Sequence, residues 1–109
     1  MTRRTLVMGL KFAGYAVCDF PDGKMAFECL GREGHAPDLM ITDLKMPGMD
    51  GVRLTNDARE MYPCLPVVVM TGFGDEAVSR DFQRVEGLHF ISKPFCMDAF
   101  LGMVSASIA

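Results

Sequence analysis

The chain has no long hydrophobic run, no basic excess and no closely spaced cysteine pair. Its apolar stretches fall far short of the roughly 20 residues that a membrane-spanning helix needs. Arg3 and Arg4 precede Leu6, Val7, Met8 and Leu10, but Lys11 interrupts the run and no small-residue cleavage site follows. A signal peptide is therefore rejected, and a cytoplasmic protein without membrane contact is expected. Eleven Lys and Arg against 14 Asp and Glu give a net charge of −3. That is the wrong sign for direct nucleic-acid binding, which requires a basic face. Cys18, Cys29, Cys64 and Cys96 lie far apart with no C-x-x-C, so they read as small buried hydrophobes in a reducing compartment. His35 and His89 have no partner at metal-ligand or catalytic spacing.

What is present is a chain of 109 residues, half of them hydrophobic, enough for one core and too apolar for disorder. No repeat, low-complexity segment or linker interrupts it, and no effector domain is expected on it. Helical and strand patterns alternate. Residues 3–13 place Leu6, Leu10 and Ala13 on one helical stripe before Gly14. Residues 15–20 read as a short strand, closed by Pro21-Asp22-Gly23. Residues 24–31 form a helix with Ala26, Phe27 and Leu30 inward, and residues 39–42 a second strand. A helix over 52–61 carries a weak stripe of Val52, Ala58 and Met61, and Asp50 is expected to cap it. Residues 66–70 are apolar throughout, as in a strand buried on both faces. Asp75 is placed to cap a helix bearing Val78, Phe82 and Val85. Residues 88–92 are the last strand, and Met97, Phe100, Leu101, Val104 and Ile108 mark the last helix. Strands separated by such helices predict an α/β fold, a doubly wound parallel sheet between two helical layers.

Three strands end in polar residues. Asp43 follows Leu39-Met40-Ile41-Thr42 and leads into Lys45-Met46-Pro47-Gly48; Thr71 follows the apolar run at 65–70; Lys93 follows Ser92. In open α/β folds the carboxyl edge of the sheet is where ligands bind. A carboxylate, a hydroxyl and an ammonium there suit binding and transfer of a phosphoryl group.

With these residues assembled, the chain resembles the receiver domain of bacterial two-component response regulators. The likeness is carried by Asp43-Leu44-Lys45-Met46-Pro47-Gly48-Met49-Asp50-Gly51, by Val68-Val69-Met70-Thr71-Gly72 and by Phe90-Ile91-Ser92-Lys93-Pro94-Phe95. It implies a flavodoxin-like fold with strand order 2-1-3-4-5. It implies that Asp43 takes a phosphoryl group from a sensor histidine kinase or phosphotransfer protein. Lys93 would pair with Asp43 and then with a phosphoryl oxygen. Thr71 would donate its hydroxyl and Phe90 would turn inward, switching the face built by the last two helices and last strand. The resemblance further implies a cis bond before Pro94, an active-site loop shaped by Lys45, Met46, Pro47 and Gly51, and Mg²⁺ held by Asp43 and the Lys45 backbone carbonyl.

One part of the family pattern is missing. Its first strand is central and ends in an acidic pair, which would fall just before Met1. Residues 1–109 are thus expected to be one receiver domain, truncated at its N terminus, with weak Mg²⁺ binding. Loss of a central strand calls for compensation. The options are an upstream segment, a homodimer, or direct pairing of the strand at 15–20 with the strand at 39–42. Two other functional readings compete. One is a degenerate receiver that binds partners without phosphorylation. The other is an aspartate-nucleophile phosphatase, a class with a second aspartate where this chain has Lys45.

Overall fold

The structure, a computed structural model, describes residues 2–34, 36–45, 50–76, 80 and 86–108. Thr2 caps the first helix, α1 (Arg3–Phe12), its hydroxyl accepting the Thr5 N–H at 3.2 Å. Gly14 ends it. At φ +101° it turns the chain so that the Tyr15 N–H reaches the Leu10 carbonyl at 3.0 Å. The carboxylate of Asp22 accepts the Met25 N–H at 2.9 Å and starts α2 (Gly23–Glu33). Strand β1 is Met40–Asp43. Asp50 caps α3 (Gly51–Met61) by accepting the Arg53 N–H at 2.8 Å. Strands β2 (Val67–Thr71) and β3 (Leu88–Ser92) follow, then α4 (Met97–Ile108).

Among the described residues the sheet has three parallel strands in the order β1-β2-β3. Side chains alternate between its faces. Met40, Val67, Val69 and Leu88 meet Leu30 of α2 and Leu54 and Ala58 of α3. Ile41, Val68, Met70 and Ile91 meet Leu6 and Leu10 of α1 and Phe100 and Val104 of α4. The fold is therefore a three-layer, doubly wound α/β sheet, and β2 is covered on both sides, with Val67, Val68 and Val69 fully buried. Gly9 faces Met97 where α1 meets α4: a Cβ there would stand 2.5 Å from the Met97 sulfur, so that flexible side chain would have to shift.

Several expectations are corrected. The cysteines are not buried: Cys18, Cys64 and Cys96 are exposed and Cys29 is half-buried. Residues 15–20 do not form a strand. They keep the alternation that suggested one, with Tyr15 and Val17 packed against the α1–α4 cluster and Ala16 and Cys18 exposed. A ladder needs a neighbour, however, and among the described residues the only strand paired with β1 is β2. Direct pairing of residues 15–20 with β1 therefore does not occur. On α3 the buried residues are Gly51, Leu54, Thr55 and Ala58, while Val52 is half-buried and Met61 is 36% exposed. A buried glycine and a buried threonine set that face, and a count of apolar residues passes over both. The carboxylate of Asp75 binds back into its own turn by accepting the Gly72 N–H, and the helix it was expected to cap lies largely outside the described residues. Val78, Phe82 and Val85, like His35, lie outside the described residues.

Candidate functional site at the carboxyl edge of the sheet

The strand register sets the site. Asp43 pairs with Met70 and Thr71 with Ser92, so Asp43, Thr71 and Lys93 sit at the same end of three adjacent strands. Backbone bonds hold the exits from the strands. The Leu44 N–H donates to the Met70 carbonyl at 3.0 Å, and the Lys93 N–H to the Thr71 carbonyl at 2.7 Å. The Lys93–Pro94 peptide bond is cis.

The ammonium of Lys93 is hydrogen-bonded to Asp43 Oδ1. Both side chains are partly open to solvent, 46% for Lys93 and 36% for Asp43. The pair borders a cavity of about 590 Å³ between the start of α1, Phe20-Pro21, β1 and Lys93-Pro94-Phe95. Asp43 is thus paired with a cation, reachable from solvent and fixed at the end of a strand.

Thr71 lies beside this pair but is buried, and its hydroxyl turns toward β3. It donates to the Ile91 carbonyl at 3.4 Å and lies 3.5 Å from Ser92 Oγ. Both distances are long, so the hydroxyl is weakly held. Phe90 is half-buried on the sheet face shared with Val69 and Leu88.

The loop residues divide. Gly51 is buried under the site and its N–H donates to the Leu44 carbonyl at 2.8 Å. Met46 and Pro47 lie outside the described residues. The ammonium nitrogen of Lys45 lies 3.0 Å from Asp75 Oδ1, an ion pair without a well-aligned hydrogen bond on that buried oxygen. Asp75, only 5% exposed, also accepts the Gly72 N–H on Oδ2 at 2.7 Å. The Gly72 N–H first, and then the Lys45 ammonium, hold its carboxyl below the ordinary value of 3.8 despite its burial. This second ion pair was missed at the sequence level. Lys45 and Asp75 belong to different loops, and no local pattern joins them.

The chain is similar to known proteins. A profile of the response regulator receiver domain matches residues 1–105. The chain belongs to the response regulator receiver domain family. The receiver is 40% identical over 93 residues to the response regulator receiver protein CpdR of Brucella abortus, covering 85% of this chain and 76% of that protein. It is 30% identical over 107 residues to the DNA-binding transcriptional regulator NtrC of Escherichia coli K12, covering 98% of this chain and 22% of that protein. It therefore spans about a fifth of NtrC. Among solved structures, a response regulator receiver protein from Sinorhizobium medicae superimposes with TM-score 0.82 at 27% identity, covering 96% of this chain and 83% of the other. The receiver domain of NtrX from Brucella abortus gives TM-score 0.87 at 25% identity, covering 97% and 88%. The receiver is thus a phosphorelay signalling module of a family that is not a catalytic one. No helix among the described residues is long and apolar enough to cross a membrane.

The family generally binds Mg²⁺ for phosphorylation. The donors on this chain fit that ion poorly. Mg²⁺ takes near-octahedral oxygen ligands, including one or two carboxylates. Among the described residues no group of three His, Cys, Asp or Glu converges on a metal position. Asp43 Oδ1 is committed to Lys93 and the Asp75 carboxylate to Lys45 and Gly72. One carboxylate oxygen of Asp43 and the Lys45 carbonyl do not make a site by themselves.

Proposed function

We propose that Asp43 is the phosphoacceptor and that the phosphoryl group comes from a sensor histidine kinase or a phosphotransfer protein. An Asp43 oxygen attacks phosphorus, the P–N bond of the donor's phosphohistidine breaks, and the imidazole nitrogen keeps the electron pair. Such transfers depend chiefly on positioning and charge neutralisation. Lys93 supplies the neutralising charge as a compact, mobile ammonium. Thr71 leaves its weak bonds to β3 and donates its hydroxyl to a phosphoryl oxygen. Space vacated by that movement lets Phe90 turn inward, which shifts the population of the face built by α4, β3 and the segment joining β2 to β3. The observation that carries this reading is the Lys93–Asp43 pair, a carboxylate with its counter-ion at an open strand end.

In this reading residues 1–109 act as one cytoplasmic module that binds proteins rather than nucleic acid and turns over no external substrate. Mg²⁺ assists weakly. A homodimer is consistent with this reading.

A second reading is a degenerate receiver that binds its partner without phosphorylation. The poor set of metal donors favours it. Acetyl phosphate separates the two. The first predicts that the protein gains the mass of one PO₃ group and that Asp43→Ala abolishes the gain. The second predicts no gain in either protein. The phosphatase reading lacks its second acid, because Lys45 occupies that position.

A further inference from the structure

Lys45 stands two residues beyond Asp43, yet its ammonium is paired with Asp75. Asp43, Lys93, Asp75 and Lys45 therefore form a set of two carboxylates and two ammonium groups with no net charge. The two sets of partners are linked, because the field of Lys93 also reaches Asp75.

The Lys45–Asp75 pair is unequal. Asp75 is buried and bound on both sides of its own turn. Its Oδ2 accepts the Gly72 N–H, and its N–H donates to the Gly72 carbonyl at 3.2 Å. Lys45 has a side chain that is 69% exposed, on a flexible stem. The anion is fixed and the cation is free to swing. The turn that Asp75 closes begins at Gly72, immediately after Thr71.

We infer that the Lys45–Asp75 pair is a charge-exchange latch: when Asp43 is loaded, Lys45 leaves Asp75 for the phosphoryl oxygens, and the freed Asp75 lets the turn at residues 72–75 open. The inference rests on the phosphoacceptor reading of Asp43. Loading raises the negative charge at residue 43 from one to about two, so the neutral set acquires about one uncompensated negative charge. Lys45 is the cation tethered nearest in sequence that is not already on Asp43. Its departure leaves Asp75 a buried carboxylate with one backbone donor, and water entry relieves that state. The turn after β2 is then informed of loading by a route that needs neither the Thr71 hydroxyl nor Phe90.

The test combines mass spectrometry with amide exchange by NMR on the whole chain, loaded with acetyl phosphate at high Mg²⁺. In loaded wild-type molecules the Gly72 N–H is expected to exchange roughly tenfold faster or more, the loss of one hydrogen bond to a charged group. In Lys45→Met the Gly72 N–H is expected to exchange fast before loading and to change no further afterwards. In Thr71→Val the response at Gly72 is expected to persist in the loaded fraction. Loading without a change at Gly72 overturns the latch alone. So does a response that survives in Lys45→Met or disappears in Thr71→Val. A wild-type chain that gains no PO₃ overturns the phosphoacceptor reading, and the latch with it.

Discussion

Gly51 lies directly against the backbone of Asp43. A Cβ at position 51 would stand 2.0 Å from the Asp43 carbonyl oxygen and 2.9 Å from the Leu44 Cα. These are backbone atoms at the end of a paired strand, so they have little room to yield. The absence of a side chain at 51 is what lets α3 start beneath the candidate phosphoacceptor.

Gly51→Ala is therefore expected to destabilise the fold by roughly 3 kcal/mol, at the upper end of overpacking penalties. Chemical denaturation measures the loss. The amide signals of Asp43 and Leu44 should move more than those of α1. A variant as stable as the wild type would show that the loop relaxes freely around the added methyl.

Lys93→Met separates function from stability. Both partners of the Lys93–Asp43 pair are partly exposed, so solvent screens their attraction. Unfolding free energy should change by about 0.5 kcal/mol or less. Phosphoryl uptake from acetyl phosphate should fall by at least roughly tenfold, the equivalent of about 1.4 kcal/mol in the barrier. A large stability loss with unchanged uptake would assign Lys93 a structural role instead.

Asp75 gives the fold an acid-sensitive element. Its carboxyl is held below the ordinary value of 3.8 in the folded state, first by the Gly72 N–H and then by Lys45. A depressed carboxyl contributes stability above its unfolded value, and that contribution disappears as pH falls through the lowered folded value. Denaturation midpoints measured from neutral pH down past 3.8 should fall more steeply in the wild type than in Asp75→Asn. Parallel curves would mean that neither the Gly72 N–H nor Lys45 holds the Asp75 carboxylate in solution.

Phe100 anchors the α4 side of the core. It is fully buried and stacks on Phe95, with ring centroids 5.6 Å apart. Phe100→Ala is expected to cost about 3–5 kcal/mol. That is a large part of a typical domain stability of roughly 5–15 kcal/mol. Circular dichroism during thermal unfolding should show a much lower midpoint or no cooperative transition. A shift of only a degree or two would contradict the packing described for α4.

Mg²⁺ should bind with a dissociation constant in the millimolar range or weaker, given one partly committed carboxylate and one carbonyl. An NMR titration following the amides of Asp43 and Lys45 measures it. Saturation at sub-millimolar Mg²⁺ would show that further ligands are recruited.

The strand ends at Asp43, Thr71 and Lys93 were legible in the sequence because each closes an apolar run. A strand's side chains announce their own burial. What they do not announce is a neighbour, so residues 15–20 carried the alternation of a strand without a ladder to join. Asp75 looked like a helix cap because capping is a local pattern, whereas its ion pair with Lys45 is brought about by the fold. Gly51 and Thr55 complete the inner face of α3 without being apolar, which made that stripe look weak.

The most direct test locates the phosphoryl group. Borohydride reduces an acyl phosphate on aspartate to homoserine, which peptide mass spectrometry places in the sequence. After treatment with acetyl phosphate and borohydride, homoserine is predicted at position 43, with none in Asp43→Ala. Homoserine at another aspartate, or equal labelling of both proteins, would contradict the assignment of Asp43 as the acceptor.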